Sequence, residues 1–283
     1  MDIAFLGTGR MGTELALHLL ASHRLTVWNR TPGRTARLEA AGASVATTVA
    51  DAVRGQPVVV TALFGPETVR EVVTAPNALE PGTLWLDATT VSPADAAEFA
   101  AWAEAAGVRY VHTPVVGTLG PARNGALGVY VGGTDAAARA EAEDIVRPWA
   151  DPTRLHQVDS APQAAAAKLL ANLALAVSMQ GLVEALRLGH AQGFSTERVL
   201  DLLDRTGLAF PATMKRTQVT TGVFDDAHFT ADALAKDIRL MLRSTPDPLP
   251  ATTVALESFV RAQRAGQGDW DISVIAQPEV DGR

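Results

Sequence analysis

Residues 2–20, DIAFLGTGRMGTELALHLL, decide how this chain is read. Residues 2–6 are an apolar run of strand length, Gly7-Thr8-Gly9-Arg10-Met11-Gly12 comes next, and a helical pattern runs through Glu14–Leu20. Strand, G-x-G-x-x-G, then helix is a dinucleotide-binding fingerprint in its required context. In that setting Gly7 permits a tight turn, Gly9 lets backbone approach a pyrophosphate, and Gly12 lets helix and strand pack closely. The helix start offers N–H groups and the positive end of a dipole to the phosphates, with Thr8, Arg10 and Met11 in the same turn.

The second strand, Leu25–Trp28, discriminates between cofactors through the residues at its exit. An acidic residue there would accept hydrogen bonds from the adenosine ribose of NAD. Here the strand ends in Asn29-Arg30-Thr31, with Arg34 shortly after. An arginine suits a 2′-phosphate, because its planar fork pairs with phosphate oxygens. The expected cofactor is therefore NADP, as NADPH.

Alternation of strands and helices continues outward from this start. Ser44–Val45 is a weak strand, Thr48–Arg54 a short helix, Val58–Leu63 an apolar strand opening into Phe64-Gly65-Pro66, and Glu67–Val73 a helix. Leu84–Asp87 is a strand emptying into Thr89, Thr90 and Ser92 before a helix from Pro93 through Ala106. Val108–Val111 is the next strand. After it comes the long glycine- and proline-rich segment from His112 to Gly125. Leu127–Val131, a helix over Asp135–Trp149 and a last strand, Leu155–Val158, complete the half. Such a pattern predicts a doubly wound parallel sheet, whose ligands bind at the carboxyl edge. Leu63, Phe64 and Thr89 stand at that edge. Backbone N–H groups around Val116-Gly117-Thr118 are candidates for holding a substrate carboxylate or another oxygen anion.

From Asp159 to Gly193 the chain reads DSAPQAAAAKLLANLALAVSMQGLVEALRLGHAQG. Asp159 or Ser160 can cap its start, Pro162 suits a first turn and Gly193 can end it, giving a single helix of about 45 Å. It is apolar almost all round, which implies burial between other elements. Lys168 interrupts that field, with Asn172 one turn on along the same face. Such a lysine either snorkels to the surface or is kept buried for its chemistry, and the residues alone leave both open. Helical patterns then run over Thr196–Asp204, Pro211–Thr220, Asp232–Ser244 and Thr252–Arg264. By pattern alone Lys236 and Asp237 belong to a solvated helix face.

The 283 residues are 47% hydrophobic, enough for two cores, with a net charge of −7 in no blocks of one sign. That balance argues against nucleic acid as a partner. The sequence has no cysteine, so disulfide and thiolate chemistry are excluded, and its six histidines show no ligand spacing, so no metal site is expected. Asp2 and the glycine motif stand where a secretory leader would be, and the longest apolar run carries Lys168 and Asn172. A cytoplasmic protein with no membrane span is expected.

With both halves in view, the chain resembles the β-hydroxyacid dehydrogenase family of 3-hydroxyisobutyrate dehydrogenases and glyoxylate/succinic and tartronate semialdehyde reductases. The landmarks are FLGTGRMG (5–12), VWNRT (27–31), LDATTVSP (86–93), TPVVG (113–117), GALGVYVGG (125–133), KLLAN (168–172), FTADALAKD (229–237) and GDWDIS (268–273). The resemblance implies an N-terminal Rossmann-like doubly wound domain over residues 1–160. An all-α substrate and dimerisation domain over 161–283 comes after it, beginning with a long interdomain helix at about 161–192. The resemblance makes Lys168 the catalytic lysine and Asn172 the substrate-orienting asparagine. Arg30 and Thr31 match the phosphate site, Thr89 lies near the nicotinamide ribose, and Lys236 is a cofactor-side lysine. The family pattern D-A-P-V-S-G-G is replaced here by His112-Thr-Pro-Val-Val-Gly-Thr118, so Val116 stands where a serine helps hold the substrate carboxylate. The implied activity is NADPH-dependent hydride transfer to or from a small aldehyde, keto acid or 3-hydroxy acid, by a homodimer. Imine reduction on the same fold and a non-catalytic NADP-binding scaffold are the alternatives. Imine reductases generally carry Asp or Tyr where Lys168 stands, and the retained Lys168 and Asn172 favour carbonyl chemistry.

Overall fold

A computed structural model describes residues Met1–Val280. The chain divides into two compact units, Met1–Leu169 and the remainder from Leu170. In the first unit β1 (Asp2–Leu6), α1 (Arg10–Leu20), β2 (Arg24–Trp28), α2 (Ala36–Ala40), β3 (Ser44–Val45), α3 (Val49–Val53), β4 (Val58–Thr61) and α4 (Pro66–Val69) come first. They are followed by β5 (Leu84–Asp87), α5 (Pro93–Ala105), β6 (Arg109–His112), β7 (Val115–Val116), α6 (Leu119–Arg123), β8 (Leu127–Gly132), α7 (Ala136–Val146) and β9 (Ala150–Val158).

These strands make one sheet in the order β3-β2-β1-β4-β5-β6-β8-β7, with β9 added to β8. The first six run parallel in the order 3-2-1-4-5-6 of a doubly wound dinucleotide fold. β8 is antiparallel to β6 and β7 but parallel to β9. Side chains alternate across the sheet. Ile3 and Phe5 of β1 join Leu15 and Leu19 of α1 and Ile145 of α7 on one face, while Ala4 and Leu6 join Ala52, Trp85 and Phe99 on the other. Covered on both faces, the central strands are continuous apolar runs, which is why they are visible in the sequence.

Several elements depart from expectation. The helix expected over Glu67–Val73 is split into α4 and a π-helical turn, Arg70–Thr74. The segment 112–125, read as loop, contains β7 and α6. The last strand begins at Ala150 rather than Leu155, and a 3-10 turn, Arg147–Trp149, separates it from α7.

The long helix α8 (Ala161–Ala191) is unbroken. The Ser160 hydroxyl accepts the Gln163 N–H at its start. It closes on Gly193, φ +82°, with Phe194 N–H donating to the Gly189 carbonyl and Gly193 N–H to that of His190, a Schellman ending. The division between units falls inside this helix, between Leu169 and Leu170. By length and composition α8 could cross a membrane, and 44% of its most apolar window is buried within the protein.

The second unit continues with α9 (Thr196–Leu202), α10 (Ala209–Thr221), α11 (Ala231–Leu242) and α12 (Pro250–Arg264), then a 3-10 helix, Ile272–Glu279, that the sequence pattern did not predict. The capping hydroxyls of Ser195 and Thr230 set the starts of α9 and α11, and Gly222 in the left-handed region ends α10. A buried ion pair, Lys215 Nζ to Asp271 Oδ1 at 2.8 Å, joins α10 to the segment before the 3-10 helix.

Candidate functional site

The glycine turn sits between β1 and α1 at the point where strand order reverses, with β2 on one side and β4 on the other. Gly7 has φ +101°, and a Cβ there would lie 2.4 Å from the Ala62 carbonyl oxygen. A Cβ on Gly12 would lie 2.0 Å from the Gly7 carbonyl oxygen, so α1 can approach β1 only through glycine. Gly9 is different: a Cβ there meets nothing within 4 Å. The chain needs Gly7 and Gly12 for its own backbone, and the space over Gly9 opens at the N-terminus of α1. The first-turn N–H groups and the positive end of the helix dipole lie there, which suits a pyrophosphate.

The neighbouring residues are gathered on the same edge. The Thr8 N–H donates to Asn29 Oδ1 at 3.0 Å and its hydroxyl donates to the Arg34 carbonyl at 3.1 Å. The Asn29 amide donates to the Thr31 carbonyl at 3.0 Å. Arg10, Arg30, Thr31 and Arg34 are exposed, and Met11 packs partly against the core. Arg30 Nη1 lies 3.1 Å from Glu71 Oε2. Across the switch point the Leu63 N–H donates to Thr89 Oγ1 at 3.0 Å, while Phe64 remains exposed. Beneath α1, burial pushes the Glu14 carboxyl up, but Arg37 at 2.8 Å and Arg123 at 3.3 Å outweigh it and hold the group below the usual glutamate range.

A buried polar network that the sequence pattern did not reveal lies beside Thr89. Asp87 and His112, partners in the β5–β6 register, are fully buried. Asp87 Oδ1 accepts the Thr61 hydroxyl at 2.7 Å and the Thr89 N–H at 3.0 Å. Asp87 Oδ2 accepts the Tyr110 hydroxyl at 3.2 Å, with His112 Nδ1 at 3.6 Å. Burial, reinforced by the Asp87 charge, pushes the Tyr110 phenol well above its ordinary range, so it stays a donor. Finding this network from sequence needs the strand register, which no single segment carries.

In the 112–125 segment, Val116 pairs with Gly128 across β7 and β8. The Tyr130 N–H donates to the Pro114 carbonyl, and the alternation of an antiparallel ladder then assigns the Val116 N–H to β8 as well. Gly117 and Thr118 are left to supply the loop N–H groups. Gly117 has φ +148°, and a Cβ there would strike Leu127 Cδ2 at 2.6 Å.

On α8, Lys168 is 7% exposed and Asn172 4%, so the lysine does not run out into solvent. In the second unit the Asn172 amide donates to Asp237 Oδ2 at 2.6 Å, and Lys236 Nζ lies 2.6 Å from Asp237 Oδ1. Asp237 is 2% exposed, which corrects its reading as part of a solvated face. The phase of α11 contained the signal, since Asp237 lies three residues after buried Leu234 and four before buried Met241. A separate cavity of about 270 Å³, lined by Asp201, Asp204 and Arg216 among others, contains none of the expected site residues.

Known proteins fit this geometry. Residues 2–158 match the family model of the NAD-binding domain of 6-phosphogluconate dehydrogenase, and residues 163–278 match the NAD-binding model of NADP-dependent 3-hydroxyisobutyrate dehydrogenase. The chain is 30% identical to an NAD-dependent L-serine dehydrogenase of Pseudomonas aeruginosa, over 97% of this chain and 96% of that one. It is 27% identical to glyoxylate/succinic semialdehyde reductase 1 of Arabidopsis thaliana, over 98% of each. A solved structure of Mycobacterium tuberculosis 3-hydroxyisobutyrate dehydrogenase with L-serine superimposes with a TM-score of 0.82 at 27% identity, covering 98% of both chains. With the glycine turn, the strand order and both halves of the chain in agreement, the protein belongs to the β-hydroxyacid dehydrogenase family, a group of NAD(P)-dependent hydroxyacid dehydrogenases.

Proposed function

We propose that the chain is an NADP-dependent oxidoreductase acting on a small aldehyde, keto acid or 3-hydroxy acid. The observation that carries this is Lys168, buried on an apolar helix one turn before an asparagine whose amide is already fixed by Asp237. The nicotinamide, when bound, supplies or accepts the hydride. Lys168 places an ammonium where a carbonyl oxygen gains charge, stabilises it and donates a proton to it. In the reverse direction it takes the proton from the alcohol. Burial strengthens that interaction by excluding bulk water.

Asp237 accepts an N–H of Asn172 and so fixes the plane of the amide that orients the substrate. Lys236 Nζ, 2.6 Å from Asp237 Oδ1, sets an opposite charge against the carboxylate that holds Asn172. Arg30 and Arg34, with no acid between Asn29 and Arg34, favour a 2′-phosphate and hence NADPH. An apolar Val116 in the substrate segment favours a substrate less dependent on a hydroxyl grip at its carboxylate, with Gly117 and Thr118 as the remaining donors. L-serine belongs among the 3-hydroxy acids to be tried, because two of the similar proteins are named with it.

The test monitors absorbance at the NADPH band with aldehydes, keto acids and cyclic imines, and the reverse reaction with 3-hydroxy acids. On the best substrate, Lys168→Ala should lower turnover by at least about a hundredfold while cofactor affinity stays within a few-fold. Turnover equal to the parent's would remove Lys168 from the chemistry and the proposal with it.

A further inference from the structure

We propose that Glu71 is a cofactor-specificity determinant, set against Arg30 so that it weakens 2′-phosphate binding and replaces the acid missing from the end of β2. This rests on the NADPH reading above. In an NAD-type site the acid that meets the adenosine ribose stands at the end of the second strand. Residues 29–34 here are Asn-Arg-Thr-Pro-Gly-Arg, without one. A carboxylate arrives from another element instead, Glu71 in the π turn after β4, with Oε2 3.1 Å from Arg30 Nη1. Both side chains are open to solvent, 65% and 62% exposed, so the pair is within reach of a ligand and easily parted.

The position of Glu71 is nonetheless built into the fold. Its neighbour Arg70 donates to Glu98 at 2.6 and 2.8 Å and to Asp95, and lies over the Phe99 ring at 5.5 Å. The backbone carrying Glu71 is thereby anchored to α5. A 2′-phosphate brings close to two negative charges to Arg30. It must displace the Glu71 carboxylate and then remain near it. A ribose without that phosphate leaves the ion pair intact and finds a carboxylate oxygen to accept its hydroxyl. Arg30 and Glu71 thus pull the site in opposite directions, and the preference for NADPH is narrower than the arginines alone would set.

The experiment titrates the full-length protein with NADPH and with NADH by tryptophan quenching or calorimetry, at low salt and at about 0.5 M salt. Glu71→Gln should tighten NADPH by about three- to tenfold at low salt and leave NADH unchanged or weaker. The gain should shrink at high salt as the exposed charges are screened. A ratio of the two affinities unchanged from the parent at both salts overturns the inference. Arg30→Gln separates the two claims. An unchanged ratio in that variant removes the NADPH assignment and the inference with it. A narrowed ratio there, beside an unchanged ratio in Glu71→Gln, overturns the inference alone.

Discussion

The glycine turn makes predictions of opposite sign at Gly9 and Gly12. Gly9 has φ −68°, which any residue adopts, and a Cβ there meets nothing within 4 Å. Gly9→Ala should therefore leave the cofactor-free protein almost as stable as the parent. Reduced unfolded-chain freedom contributes about 0.4–1 kcal/mol, and the poorer alanine N-cap removes a similar amount. Cofactor affinity should fall sharply, because the new methyl group occupies the space a pyrophosphate needs. Losing one charge-assisted N–H contact, about 1.5–3 kcal/mol, corresponds to about a ten- to hundredfold weaker dissociation constant. Gly12→Ala should behave the other way. Its Cβ would sit 2.0 Å from the Gly7 carbonyl oxygen, which is backbone with no rotamer to yield. Overpacking of about 1–3 kcal/mol exceeds the helix-propensity gain of about 1 kcal/mol, so thermal unfolding of the cofactor-free protein should drop by several degrees. Thermal scans without cofactor and titrations with NADPH and NADH measure both effects. A Gly9→Ala variant that binds both cofactors like the parent, or that melts as early as Gly12→Ala, would refute the division of roles between the two glycines.

The second unit carries two further expected outcomes. Lys215→Met should destabilise by about 3–5 kcal/mol at pH 7, read from denaturant midpoints, because it leaves the fully buried Asp271 carboxylate without its ammonium. In the parent, burial raises the Asp271 pKa, but Lys215 and Ser273 outweigh it and hold it below the usual aspartate range. The stabilisation is thus present above the unfolded pKa and lost as pH falls through the folded one, so the deficit of Lys215→Met should shrink as pH is lowered through the carboxylate range. Dimerisation is the other. Leu170 and Leu188 of α8 are 66% and 67% exposed, and pairing with a second copy through the helical half would bury them. Light scattering at micromolar concentration should give twice the subunit mass, and a single-subunit mass would exclude it.

How much was legible depended on how each element is covered. β1, β4 and β5 lie in the middle of the sheet and are apolar except for one terminal residue each, Asp2, Thr61 and Asp87, so their positions are set by composition alone. β9 is legible only in its last four residues, because Asp151, Pro152, Thr153 and Arg154 are partly or fully exposed and carry no apolar alternation. β7 and α6 are two and five residues long, too short for a period to register among the glycines and prolines around them. The π turn left no trace either, since no glycine or proline interrupts residues 67–74. The glycine turn and the Lys168–Asn172 spacing were readable because each is local. Asp237 and Glu71 were not, because what matters about them is a partner 65 and 41 residues away.

The walls of the cofactor edge are fixed by the protein itself, and this changes what two of the expected contact residues do. On one side of the switch point the exit of β2 braces the exit of β1, through Asn29 Oδ1 accepting the Thr8 N–H. On the other side the exit of β5 braces that of β4, through Thr89 Oγ1 accepting the Leu63 N–H. Asp87, at the end of β5 just before Thr89, accepts the Thr89 N–H and ties that brace to Thr61 and Tyr110 in the core. In each case a side-chain acceptor on the outer strand takes a backbone donor of the inner loop that would otherwise need water. The loops flanking the glycine turn are therefore held by satisfied hydrogen bonds as well as by the packing of Ala62 and Leu63 against the two cores, which lowers the ordering a ligand must impose. Asn29 and Thr89, expected as cofactor contacts, have this bracing as their first structural role, and any contact they make with a ligand uses the hydrogen-bonding capacity that remains.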